Sequence, residues 1–191
     1  MKDEEKRRRF ELLVLPHLDA GLNLARWLTH NDQDAQDVMQ EAAMRAIRFI
    51  DGFRGESAKA WLLQIVRNTC FSWLKENRPV ELVVLEDADE VLHATAAPAA
   101  DEPPAMAMRN ADRLQINQAI AALPIVYREV LVLRELEDFS YKDIARIADI
   151  PIGTVMSRLA RARSLMQQAL RPSEWSRLGA VPKSRQSESI P

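Results

Sequence analysis

Between Pro151 and Arg171 the chain carries Arg158, Arg161, Arg163 and Arg171 and not one Asp or Glu. Guanidinium groups spaced along a helix can grip a row of backbone phosphates, or pair bidentately with guanine in the major groove. Placed at about 100° per residue, Gly153, Ser157, Ala160, Arg161 and Ser164 share one side, with Met156, Arg158 and Arg163 at its margins. Small side chains let a helix sit deep in a groove. The opposite side holds Val155, Leu159, Ala162 and Met166 at spacings of four, three and four, a stripe suited to a core. Upstream, Ser140 is a good N-cap, and Ile144, Ala145, Ile147 and Ala148 form one apolar face of a short helix. Asp149–Pro151 breaks that helix, and Pro151 suits the start of the next. The pattern is a helix-turn-helix. The plainer alternative is a solvated basic helix packed on a neighbour.

A second set of charged residues, Asp34, Asp37 and Glu41, shares the outer face of a helix expected from about 34 to 50. Carboxylates near a helix start stabilise it through the helix dipole by a few tenths to about 1 kcal/mol. They could equally form a docking face for a basic partner. Acid–base catalysis would need companions, and no His, Lys or Gly-rich loop accompanies them.

A third set begins at Asp51–Ser57, DGFRGES, the glycine-containing loop with a hydrophobic and a basic side chain set in it. It lacks the spacing and the Lys of a phosphate-binding loop. The following helix, AWLLQIVRNTCFSWLKENR, directs Leu62, Ile65, Val66, Thr69 and Trp73 to a core. It directs Gln64, Arg67, Asn68, Phe71 and Lys75 the other way. An aromatic ring among cationic and amide side chains is how single-stranded bases are held by stacking. Alternatively, Phe71 packs on another helix.

The elements that must position these sets are helical. Five glycines in 191 residues, 47% apolar content and repeated three-to-four spacing predict an all-α protein with real cores. The first helix is expected over Phe10–Leu28, bent at Pro16. Helical pattern returns at about Arg109 with Leu114, Ile116, Ile120 and Leu123. After Pro124, Val126, Val130, Leu133 and Leu136 form a further stripe. Between Pro79 and Pro104 lie seven acidic residues, Glu81, Glu86, Asp87, Asp89, Glu90, Asp101 and Glu102, and no Lys or Arg. The net charge of −2 therefore conceals basic ends. The expected layout is two small helical domains, 1–78 and 109–171, joined by an acidic flexible linker, 79–108. The second domain contains the helix-turn-helix, and a loose polar tail, 172–191, follows it. Leu82–Leu85 is expected to make a brief apolar contact. The single Cys70 excludes an internal disulfide framework. The charged start MKDEEKRRRF lacks the features of a secretory signal, and no eighteen-residue apolar span occurs, so a soluble cytoplasmic protein is expected.

Along almost all of residues 10–170 the sequence resembles the bacterial extracytoplasmic-function (ECF) sigma factors. DAQDVMQEAAMRAIRFI resembles their conserved-region-two helix, and FRGESAKAWLLQIVRNTCFSWLK their promoter-melting segment. LPIVYREVLVLRELEDFSYKDIARIADIPIGTVMSRLARAR resembles their region-four domain. The resemblance implies a two-domain subunit that joins core RNA polymerase, brings it to promoters and promotes strand opening, with no covalent chemistry, cofactor or small-molecule substrate of its own. It implies that Asp34, Asp37, Gln40 and Glu41 meet the clamp helices of the polymerase's largest subunit. Phe53, Arg54, Gly55, Glu56 and Ser57, with Arg67, Asn68, Phe71 and Lys75, would hold the melted minus-10 strand. Thr154, Ser157, Arg158, Ala160, Arg161 and Arg163 would read the duplex minus-35 element, and the acidic linker would run towards the RNA exit path. It also implies control by an anti-sigma factor, often membrane-bound. The chain departs from the family pattern at Ser72, where relatives often carry Asp, and at Met156, where many carry Lys or Arg.

Two other classes are weighed. A stand-alone helix-turn-helix regulator needs only the last sixty-odd residues to be right, but leaves the acidic and basic-aromatic faces of the first half without a use. A helical enzyme finds little support, since His17, His30 and His93 are scattered and Cys70 has no evident base.

Overall fold

The structure, a computed structural model, describes residues 2–55, 57–78 and 106–170. Among these residues every regular element is helical: α1 (Lys2–Leu13), α2 (Leu18–Thr29), α3 (Asp32–Phe49), α4 (Ala58–Asn77), α5 (Met106–Ala121), α6 (Ile125–Leu131), α7 (Tyr141–Ala148) and α8 (Ile152–Ala169).

The first half is a bundle of α2, α3 and α4 with α1 laid beside it. Leu24, Leu28, Leu62, Leu63 and Leu74 are shut off from solvent. Each contributes about 1.5–3 kcal/mol by burial. The three helices approach closely at Gly21. A Cβ built there would sit 2.9 Å from Met39 Sδ and 3.3 Å from Val66 Cγ2. The single helix expected over Phe10–Leu28 is two helices, because a 3₁₀ turn at Leu15–His17 separates α1 from α2. Pro16 in that turn has no N–H to give and its ring blocks a continuous α-helix. α3 begins where Asn31 caps it, accepting from the Gln33 and Asp34 amides. Ser57 starts α4 in the same way, accepting from the Ala60 amide at 3.1 Å.

In the second half, α6, α7 and α8 pack together around Val130, Leu133, Ile144, Ile147, Val155, Leu159 and Ala162. α5 begins at Met106, within the expected linker, and meets this core through Ile120, with Leu123 just beyond. Leu114 and Ile116, expected inside, are exposed. Leu136, also expected in a stripe, is 46% exposed. A π-helical turn at Val132–Leu136 widens the helix there and turns the last residue outward. The Leu82–Leu85 contact, the rest of the linker, the 172–191 tail and Glu56 lie outside the described residues.

The two halves meet. α4 packs on α7, and α2 packs on α6 and on the π-helical turn.

Candidate nucleic-acid interface

The helix-turn-helix is built as the sequence reads. Ser140 Oγ accepts from the Asp143 amide at 3.1 Å and donates to the Asp143 carboxylate at 2.6 Å, fixing the first turn of α7. Asp149 ends that helix in the left-handed conformation, φ 54°. Pro151 then caps α8 with φ −59° and ψ 147°, its missing N–H falling where no helical partner exists. Val155, Leu159 and Ala162 are buried, while Gly153, Met156, Ser157 and Ala160 are exposed. Thr154, Arg158 and Arg161 are half-buried. Arg163 is exposed but not idle: its Nη2 lies 2.7 Å from Glu135, and bonds to Glu135 and Tyr141 hold its pKa above the ordinary arginine value. The outer surface of α8 is therefore small-residued at its centre and cationic at its edges.

On α4 the expected outward set is divided. Asn68 and Lys75 are exposed, as is Ser72 beside them. Arg67 lies with its guanidinium carbon 4.0 Å from the centre of the Phe71 ring, a cation–π stack. Gln64, Arg67 and Phe71, however, do not project into solvent as expected. The second half engages Gln64 and Arg67, and Phe71 is partly buried against the core. Arg67 Nε donates to Glu129 Oε1 at 2.6 Å, and Gln64 Nε2 donates to the Arg146 carbonyl at 3.1 Å.

The loop before α4 is held from α1. Arg9 Nη2 donates to the Phe53 carbonyl at 3.3 Å, and Lys6 pairs with Asp51 at 3.1 Å. The Phe53 ring leans on Trp61, centroids 5.1 Å apart at 41°. Arg54 and Gly55 are exposed, and Ser57 is spent on capping α4. On α3, Asp37, Gln40 and Glu41 are exposed, with Glu41 paired to Arg45 at 2.7 Å. Asp34 is drawn away from them to Arg78.

Residues that the sequence pattern passed over sit at the meeting of the halves. Glu129 is fully buried, and burial raises its pKa while Arg67 opposes the rise. Its Oε2 has no hydrogen-bond partner among the described residues. Arg128 donates to the Trp27 carbonyl at 2.9 Å, across to α2. Lys59 pairs with Glu137 at 2.8 Å and lies 5.0 Å from the Phe139 ring centre. Asn23 donates to the same Glu137 carboxylate at 3.0 Å. The one signal for these was a charged pair, Arg128 and Glu129, inside the apolar run IVYREVLVL. Cys70 is buried nearby, its thiol pushed up to about 12 by desolvation and then by the Glu129 charge. Among the described residues no group of His, Cys, Asp and Glu could hold a metal, and no helix is long and apolar enough to cross a membrane.

The chain is thus an all-helical protein of two packed halves, the second of which carries a helix-turn-helix. Residues 13–79 match Sigma-70 region 2, and residues 113–166 match Sigma-70, region 4. The chain is 39% identical over 170 residues to an RNA polymerase sigma-H factor of Pseudomonas aeruginosa, covering 87% of this chain and 88% of that one. It is 37% identical over 169 residues to an ECF RNA polymerase sigma-E factor of Haemophilus influenzae, covering 85% and 88%. Among solved structures, the sigma factor RpoE of Bartonella quintana, in complex with the anti-sigma factor NepR, matches with TM-score 0.64 at 29% identity. That match covers 86% of this chain and 98% of the other. CnrH, in complex with the cytosolic domain of CnrY, shares the fold with TM-score 0.57 at 23% identity, over 86% of this chain and 88% of its own. The chain belongs to the ECF RNA polymerase sigma factors, a family of transcription initiation factors.

Proposed function

We propose that this sigma factor binds core RNA polymerase through Asp37, Gln40 and Glu41 of α3, with Asp34 in support at its start. The loop Phe53–Ser57 and Arg67, Asn68, Phe71 and Lys75 of α4 hold the melted minus-10 strand. Thr154, Ser157, Arg158, Ala160, Arg161 and Arg163 of α8 read the duplex minus-35 element. The domains that do this are 1–78 and 109–171, with 79–108 as the linker. The protein acts in the cytoplasm and performs no covalent chemistry. It supplies binding free energy: extruding a base costs a few kcal/mol, and stacking returns about 1–3 kcal/mol per base. An anti-sigma factor restrains it, a reading supported by the complex of the similar sigma factor RpoE with the anti-sigma factor NepR.

The observation that carries the division of labour is the exposed face of α8, free of acidic side chains, with Gly153, Ser157 and Ala160 at its centre. Run-off transcription from a promoter library, with core polymerase and with or without the purified chain, tests the reading. Transcripts that require the chain and share a promoter motif support it. A shift of duplex DNA by the chain alone, with no transcripts, replaces it with a stand-alone regulator.

A further inference from the structure

Helix α8 presents two unlike flanks. Successive residues of a helix turn by about 100°, which sets Ile152, Met156 and Ala160 along one side of its outer surface and Arg158 and Arg161 along the other. The first flank is apolar where it starts. Ile152 is 49% exposed and Met156 53%, and both stand in the first turn and a half of α8, the part of a recognition helix that meets base edges. The surface beside them is open: a Cβ added at Gly153 would meet nothing within 4 Å. Arg163 lies further along the same side, but its guanidinium is taken by Glu135, with Nη2 at 2.7 Å and Nε at 3.3 Å from one carboxylate oxygen. Near its start this flank therefore turns hydrocarbon and a thioether outward, not charge.

We propose, taking α8 as the helix that reads the minus-35 duplex, that Met156 is a specificity-determining residue that recognises the 5-methyl group of a thymine in the major groove. Among the four bases only thymine carries an apolar group on that edge. Met156 has no hydrogen-bond donor, and its sulfur is a weak acceptor, so it gains little from N7 and O6 of guanine or N4 of cytosine. Pressed against those groups it would strip them of water and return no hydrogen bond, which disfavours a G·C pair at the same step. Its unbranched, polarizable side chain can follow a methyl group into an irregular gap. Ala160, one turn further on and exposed, leaves room for the helix to come close. The two flanks then read different features, with guanidinium groups on one side for phosphate or guanine and Met156 on the other for a methyl group.

The test uses the full chain assembled with core polymerase and a fluorescein-labelled promoter duplex whose minus-35 element has been defined by run-off transcription. Each thymine of that element, on either strand, is replaced singly by deoxyuridine, which removes the methyl group and leaves base pairing unchanged. Affinity is read by anisotropy. One of these exchanges is expected to weaken binding about fourfold, the worth of one buried methyl group. Met156→Ala changes an exposed side chain, so the fold should be undisturbed. This variant is expected to bind the thymine and deoxyuridine duplexes alike at that step, so that the two changes together cost no more than the variant alone. That pattern supports the proposal. An element in which no thymine shows the penalty, or a penalty that persists in full in Met156→Ala, overturns it, and normal transcripts dependent on the minus-35 element leave the sigma reading standing. Absence of transcripts with the unaltered chain removes the reading, and the proposal with it.

Discussion

Arg78 Nη2 lies 3.0 Å from the Asp34 carboxylate, tying the start of α3 to the end of α4. Arg78 also donates to the Thr29 carbonyl at 3.1 Å, so Asp34 belongs to a clasp that closes the first bundle. The exposed charges left on that face of α3 are Asp37 and Glu41. Reversing both to Lys is expected to weaken core polymerase binding about tenfold or more by setting like charges against a basic partner. The lost Glu41–Arg45 pair should cost only about 0.3–0.5 kcal/mol of stability. A titration of labelled protein with core polymerase, beside a thermal melt, checks both halves of the expectation.

Phe71→Ala is expected to impair strand opening more than polymerase binding. Loss of one stacked base is worth about 1–3 kcal/mol, or about 5- to 150-fold. Permanganate reactivity of thymines in the minus-10 region reads the opening. Undiminished reactivity would remove Phe71 from the strand-binding set.

Ala160→Glu places a carboxylate at the centre of the α8 surface. The side chain is exposed, so stability should stay within about 0.5 kcal/mol. Minus-35 protection in a footprint should disappear while minus-10 binding by the first half persists. A retained minus-35 footprint would show that duplex DNA is read elsewhere.

Gly21→Val tests the crossing of α2, α3 and α4. The new Cβ alone meets Met39 and Val66, and the branched side chain adds two methyls to that crowded spot. A loss of about 1–3 kcal/mol is expected, measurable by urea unfolding. An unchanged midpoint would mean that the helices part without cost.

His30 supplies a pH dependence. Its pKa is lowered to about 4, first by desolvation and then by the Arg128 and Arg78 charges. Between about 6.5 and about 4 the unfolded chain therefore takes a proton that the folded chain refuses. The stability His30 contributes is full above about 6.5 and is lost as pH falls towards about 4. His30 also holds φ 55°, a conformation that Asn tolerates. His30→Asn should shrink the stability difference between pH 7.5 and pH 5, measured by urea unfolding at each.

The helices were legible because their signals are local. Ser140, Asp149 and Pro151 frame the helix-turn-helix through caps and a break, and Val155, Leu159 and Ala162 repeat at the spacing a core requires. The surroundings of Arg67 were not legible. Periodicity shows that it faces away from Leu62 and Val66, but whether that direction meets water or another domain depends on residues some sixty positions downstream. Leu136 was misplaced for a different reason: a π turn adds a residue to the helical circuit without any Gly or Pro to announce it. Asp34 was grouped with Asp37 and Glu41 by spacing alone, while Arg78, which claims it, stands 44 positions away.

The burial of Cys70 decides how the protein behaves in air. A thiol pushed up to about 12 is almost never a thiolate at neutral pH, and buried inside the fold it does not reach the thiol of a second copy. The folded chain should therefore not cross-link to its copies through Cys70. Alkylation of this sulfur would mark only molecules that have come apart, making it an internal clock for unfolding.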